Sequence, residues 1–200
     1  MIALFALLIQ DFKPPVGYVQ QTELYYTGST PHTFSFQAFG KEATDPRPGI
    51  FQKIFVIDNG QGLEVPLPSD CSNGQMIHPF SGFAVAPHEK FFILGRKQAT
   101  GMYDAFMYKR TEGAILVALG NSVDQSLNDY IVKKRGHPGF PKDRGQAIGT
   151  VFAKSWTSSG SAVLDVTDDD TRHDPEWYRV TINPKTGSVS PYKRTKRIVE

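Results

Sequence analysis

The chain has a single cysteine, Cys71, so no internal disulfide can form and the small disulfide-stapled folds are excluded. Excess charge is missing too: 22 Lys and Arg stand against 20 Asp and Glu, a net +2 over 200 residues. That balance gives no bulk attraction to nucleic acid or to an anionic membrane surface, and neither is an expected partner. The longest apolar run, MIALFALLI at residues 1–9, is far short of the roughly 20 residues that a helical span needs. No transmembrane segment is expected. The Asn-x-Ser/Thr acceptor and the glycine-rich phosphate loops of Rossmann and Walker type are absent as well.

The opening run admits two readings. Its length fits the apolar core of a secretory signal, yet no Lys or Arg precedes it and no small-x-small cleavage site follows. Residues 1–12 are therefore either a signal-peptide remnant or a buried first element ended by Lys13-Pro14-Pro15. Localisation divides the same way, between export to a periplasm or medium and retention in the cytoplasm.

Turn chemistry and alternation are plentiful. With 18 Gly, 14 Pro and 40% hydrophobic residues, the composition is that of one globular, turn-rich domain over residues 1–200. In KIFVID, Ile54 and Val56 face one way while Phe55 and Ile57 face the other, so both faces of that strand are apolar. KFFILG (90–95) and GAILVAL (113–119) read the same way. A strand apolar on both faces must be covered on both, which places these three inside a stack of sheets. SAVLDVT (161–167) and EWYRVTIN (176–183) carry Asp or Arg among their apolar positions and read as half-exposed. Asn59-Gly60, Asn73-Gly74, Thr111-Glu112-Gly113, Ser158-Ser159-Gly160 and Pro184-Lys185-Thr186-Gly187 supply the turns between strands.

The strands and turns recur in a weak repeat. One unit runs from Phe83-Ala84-Val85 through the turn Pro87-His88-Glu89, KFFILGR, YDAFMYKR, the turn TEG and AILVAL. The next runs from Phe152-Ala153-Lys154 through TSSG, SAVLDVT, EWYRVTIN, PKTG and SVSPY. A poorer copy precedes both: TELYYTG, HTFSFQAF, GIFQKIFVID, NGQG and LEVPL. This cadence of four short strands resembles the meander units of β-propeller-like repeat proteins. The resemblance implies a mainly β fold of antiparallel meanders, arranged either as propeller-like units or as a sandwich. One helix is expected between the two clearer units, over about residues 122–135. Ser122 and Gln125 form its capping box, Val123, Leu127, Tyr130 and Ile131 its apolar stripe, and Gly136 with Pro138 its stop.

Chemistry-bearing residues are scattered. Asp165, Asp168, Asp169, Asp170, His173 and Asp174 crowd one connection, and Asp168, Asp170, His173 and Asp174 are the candidate ligands for a divalent ion such as Ca²⁺. The EF-hand spacing fails, and Asp-rich connections with an Arg nearby, here Arg172, are ordinary turn material. That loop aside, no cofactor is expected. Cys71 and His78 are a thiol and an imidazole with no orienting group or oxyanion hole identified beside them. Tyr25, Tyr26, Tyr103, Tyr108, Trp177 and Tyr178 fall on strands, and Tyr103, Tyr108 and Trp177 are the candidate anchors for a protein partner. The leading expectation is a non-enzymatic, β-rich protein-binding module, such as an exported bacterial protein that binds or neutralises another protein. The alternatives are a hydrolase with a loop-assembled site, or a metal- or carbohydrate-binding module using the 165–174 connection and Trp177.

Overall fold

The computed structural model describes residues 12–23, 34–40, 50–51, 53–58, 60–67, 75–76, 83–99, 102–119, 123, 126–127, 130, 148–168, 177–190 and 193–195. These form fourteen strands: β1 (Val19–Glu23), β2 (Phe34–Gly40), β3 (Ile50–Phe51), β4 (Lys53–Asp58), β5 (Gln61–Glu64), β6 (Gln75–Met76), β7 (Phe83–Val85), β8 (Phe91–Ala99), β9 (Met102–Thr111), β10 (Ala114–Val117), β11 (Ile148–Trp156), β12 (Ala162–Asp168), β13 (Trp177–Ile182) and β14 (Lys193–Thr195). All pairings are antiparallel, and the strands make three open sheets. The first runs β1-β2-β4-β5, and the third runs β11-β12-β13-β14. The second contains the meander β7-β8-β9-β10, with β6 and β3 added beyond it through the pair Met76↔Lys97.

Mainly antiparallel β structure is thus what the chain adopts, and each strand-rich stretch of the sequence folds into its own four-stranded meander. Details differ from the sequence reading. The first strand begins earlier than TELYYTG, at Val19–Glu23. GIFQKIFVID is divided between sheets, since Ile50–Phe51 pairs with β6 while Lys53–Asp58 pairs with β2 and β5. The described residues of SVSPY supply a single bridge, Ile182↔Val189, and a further strand pairs with β13 at Lys193–Thr195.

The turns explain why a repeat is visible at all. A two- to four-residue reversal between right-twisted strands needs a residue in the left-handed region, where a Cβ costs about 1–2 kcal/mol. That residue is Gly60, Gly113 and Gly187 between the third and fourth strands of the successive meanders. Between the first and second strands it is Glu89 in the second meander and Gly160 in the third. Glu89 N donates to Ala86 O at 2.8 Å and Gly160 N to Thr157 O at 2.9 Å, so the two turns share one hydrogen bond.

Packing follows from the alternation along β8 and β9. Phe92, Leu94, Phe106 and Tyr108 point to the first sheet and meet Phe34, Phe36, Ile54 and Val56. Ile93, Ala105 and Met107 point the other way and meet Val151, Leu164, Val166, Val180 and Ile182 of the third. The apolar stretches of β8 and β9 are therefore buried on both faces. GAILVAL departs from its expectation: it forms the edge strand β10, where Ile115 is buried but Leu116 and Val117 are exposed. Two polar clasps cross these interfaces. Arg110 reaches Asp58 at 2.6 Å, lies 3.6 Å from the Glu89 carboxylate and covers the Phe34 ring at 4.4 Å, joining the second sheet to the first. Trp156 Nε1 donates to Ala84 O at 3.0 Å, joining the third sheet to the second.

The helix expected over 122–135 is represented by helical Ser126, Leu127 and Tyr130, with Leu127 N donating to Val123 O at 3.2 Å. Val123 and Leu127 are buried in the core between the second and third sheets, as the apolar stripe demands. The remainder of that stretch lies outside the described residues, as do residues 1–11 and the Cys71–His78 pair.

On the far face of the first sheet, Phe39 and Phe55 are capped by Phe12, whose ring centroid lies 5.9 and 4.9 Å from theirs. This contact needs a glycine. A Cβ on Gly62 would fall within the Phe12 ring. Gly62→Ala is expected to cost about 1–3 kcal/mol in urea denaturation by displacing that ring. In a Phe12→Ala background the same change should cost almost nothing. Gly113→Ala, whose Cβ meets nothing but whose φ is +79°, should cost the same in both backgrounds.

Candidate functional site

The far face of the third sheet is built by residues alternating with its core positions. Ala162, Leu164 and Val166 on β12 point to the second sheet, so Val163, Asp165 and Thr167 point away from it. On β13, Tyr178, Val180 and Ile182 point inward, and Trp177, Arg179 and Thr181 therefore point outward. Register then sets neighbours across the sheet. One row is Phe152↔Asp165↔Arg179↔Lys193, and the next is Thr150↔Thr167↔Trp177↔Thr195.

Phe152 and Trp177 belong to strands on opposite sides of β12, which puts their backbones about 9–10 Å apart. Their ring centroids are nevertheless 5.5 Å apart with planes at 28°. Both rings lean inward and stack above the polar central strand. This explains the burial beneath them, because Asp165 is 0% exposed and Thr167 is also buried. SAVLDVT thus departs from the half-exposed expectation at Asp165, which the aromatic pair and Arg179 cover.

Arg179 donates to both oxygens of the buried Asp165 carboxylate, Nε to Oδ1 at 2.7 Å and Nη2 to Oδ2 at 2.9 Å. The hydrogen bond to Asp165 raises the guanidinium pKa above its ordinary value; burial opposes this, and the Coulomb attraction adds to it. A raised cation pKa gives stability that is complete below the ordinary value and lost only above it, so Arg179 stays charged at any working pH. Its side chain remains 46% exposed, so the pair is rooted in the sheet and open to solvent at its cationic end.

Among the described residues, Trp177 brings the one orphaned buried group. Its Nε1 is buried and has no hydrogen-bond partner among the described residues. Such a donor costs about 1–3 kcal/mol when left unmade.

Of the residues expected to anchor a partner, Trp177 sits on this face. Tyr108 does not. It is fully buried, stacked on Phe92 at 5.1 Å with its hydroxyl on Pro66 O at 3.2 Å, and is a core residue between the first two sheets. Tyr103 pairs with Lys97 on β8, and its side chain is outside the described residues. Among the candidate metal ligands, Asp168 ends β12 with its side chain outside the described residues, and Asp170, His173 and Asp174 lie wholly outside them. Their connection begins and ends beside the Thr167↔Trp177 pair. Among the described residues, no group of three His, Cys, Asp or Glu is placed to hold a metal ion. No helix there is long and apolar enough to cross a membrane.

Phe152 and Arg179 were not singled out from the sequence. Their meeting with Trp177 and Asp165 depends on cross-strand register, which the 169–176 connection hides. A trace did exist in the Asp165 and Arg179 that interrupt two otherwise apolar strands.

No family model matches the chain, and neither does any curated protein or solved structure.

The pair should respond asymmetrically to mutation. Arg179→Ala leaves a buried carboxylate behind and should cost about 2–3 kcal/mol, less than a fully buried pair because water reaches the gap. Asp165→Asn leaves a solvated arginine and a neutral acceptor and should cost only about 1 kcal/mol. Chemical denaturation of the two variants measures the difference.

Proposed function

We propose that the chain is a non-enzymatic protein-binding module that grips its partner with the far face of the third sheet. The observation that carries this reading is the buried, unpartnered Nε1 of Trp177, held in a stack with Phe152 beside an anchored arginine. A partner that shifts the Trp177 ring enough to reach that N–H with an oxygen recovers the cost the free protein bears. The stacked rings supply rigid contact area with little side-chain entropy to lose. Arg179 and exposed Lys154 give the side of this face away from the Asp-rich connection a positive character. The partner surface is accordingly a protein face with an acidic edge, which speeds encounter as well as fixing orientation.

The test uses the partner recovered by affinity capture on the intact chain, with dissociation constants then measured by calorimetry. Trp177→Phe keeps the stack and removes the donor. It should leave the melting midpoint of the free protein unchanged or higher while weakening binding about tenfold. Lys154→Glu should weaken binding too, and flatten its dependence on salt. A partner that binds both variants like the wild type overturns the proposal, as does turnover of a substrate by the purified chain.

A further inference from the structure

The three sheets do not guard their edges equally. β1 carries a bulge between Gln20 and Thr22, and β11 carries bulges between Ile148 and Thr150 and between Ala153 and Ser155. β14 is Lys-Arg-Thr, β5 ends in Glu64, and β3 and β7 have two and three residues. Bulges, charges and shortness are the usual devices that stop an edge from pairing with another chain. β10 has none of them. It is Ala-Ile-Leu-Val in unbroken register with β9, at the end of the second sheet. Leu116 is 48% and Val117 38% exposed, and among the described residues the other exposed large apolar side chains are Val16 and Val19.

The ladder shows which backbone groups face outward. Ala118 N donates to Met107 O at 2.7 Å, so Ala118↔Met107 is a hydrogen-bonded pair. Alternation makes Leu116↔Lys109 and Ala114↔Thr111 hydrogen-bonded pairs as well, which turns the N–H and C=O of Ile115 and Val117 to the outer edge. Among the described residues no strand meets them. Placing two such edges antiparallel about a two-fold axis at Leu116 sets Ile115 against Val117 and Val117 against Ile115. Four backbone hydrogen bonds form, and the two Leu116 side chains meet at the close, non-hydrogen-bonded pair. No like charges face each other, because Ala114–Val117 contains none. The same operation on β14 would bring Lys193 and Arg194 together, and on β5 it would oppose acidic ends.

We propose that β10 is a self-pairing edge through which two copies of this chain join their second sheets into one continuous antiparallel sheet, with Leu116 on the two-fold axis. This surface is separate from the face around Trp177, so either proposal can fail without the other.

A charge exchange at the axis tests it. The wild-type chain should show a concentration-dependent dimer in analytical ultracentrifugation. Leu116→Lys and Leu116→Glu should each raise the dissociation constant about tenfold or more, since each places like charges opposite one another. An equimolar mixture of the two variants should regain the dimer. Hydrogen exchange on the wild type gives a readout that needs no variant: the Ile115 and Val117 amides should gain protection as concentration rises. A wild-type chain that stays monomeric at about 100 μM overturns the proposal and leaves the edge to an extended segment of another protein; at that concentration even weak pairing registers. A dimer indifferent to both substitutions, or variants that fail to recover on mixing, overturns it too.

Discussion

Everything in this fold depends on β8 and β9 carrying large apolar side chains on both faces of the second sheet. A sheet with one wet side can end a structure, whereas one apolar on both sides needs cover from two directions. β8 and β9 alternate large side chains to opposite faces, Phe92 and Leu94 against Ile93, Phe106 and Tyr108 against Met107. The first and third meanders exist in the folded state as the two covers. Each buries its own apolar face in doing so, and the helical segment at Leu127 fills the second interface from one end.

The covers themselves end the stack in different ways. The first sheet keeps aromatic residues on its far side and closes them with Phe12, a local solution that Gly62 makes room for. The third sheet places a carboxylate, threonines and an arginine on its far side, roofed by Phe152 and Trp177. One end therefore reads as finished packing and the other as a surface with an unmet donor. This contrast between the two ends, rather than any assembled catalytic group, is why the third sheet carries the functional reading. The clasps at Arg110 and Trp156 belong to a different task, holding adjacent sheets in fixed register where the interfaces open to solvent.

Much of the fold was legible because its signals are local. Two-sided apolar strands such as KFFILG announce their own burial, and positive-φ turns leave glycines at matching places in each unit. Even the exception, Glu89, sits where its neighbours require a turn, and its main chain and carboxylate both serve Arg110. The site was legible only in part, since Trp177 was identifiable as an aromatic on a mixed strand but its company was not. Phe152, Asp165 and Arg179 come together through register across three strands, and no short stretch of sequence spells out a register shared by three strands. Tyr108 shows the converse failure. An aromatic beside Lys109 and Arg110 looks exposed in sequence, yet strand alternation sends it into the core between sheets.

The central claim is that one strand carries two buried faces, and neighbouring positions on β8 test it directly. Phe92 faces the first sheet and Ile93 the third, and both are fully buried. Replacing either with aspartate introduces a charge with no partner into a dry interface, a cost of several kcal/mol against a total stability of about 5–15. Phe92→Asp and Ile93→Asp should therefore each abolish the cooperative thermal transition followed by near-ultraviolet circular dichroism. If either variant keeps a wild-type transition, that face of the second sheet meets water, and the stack described here is contradicted.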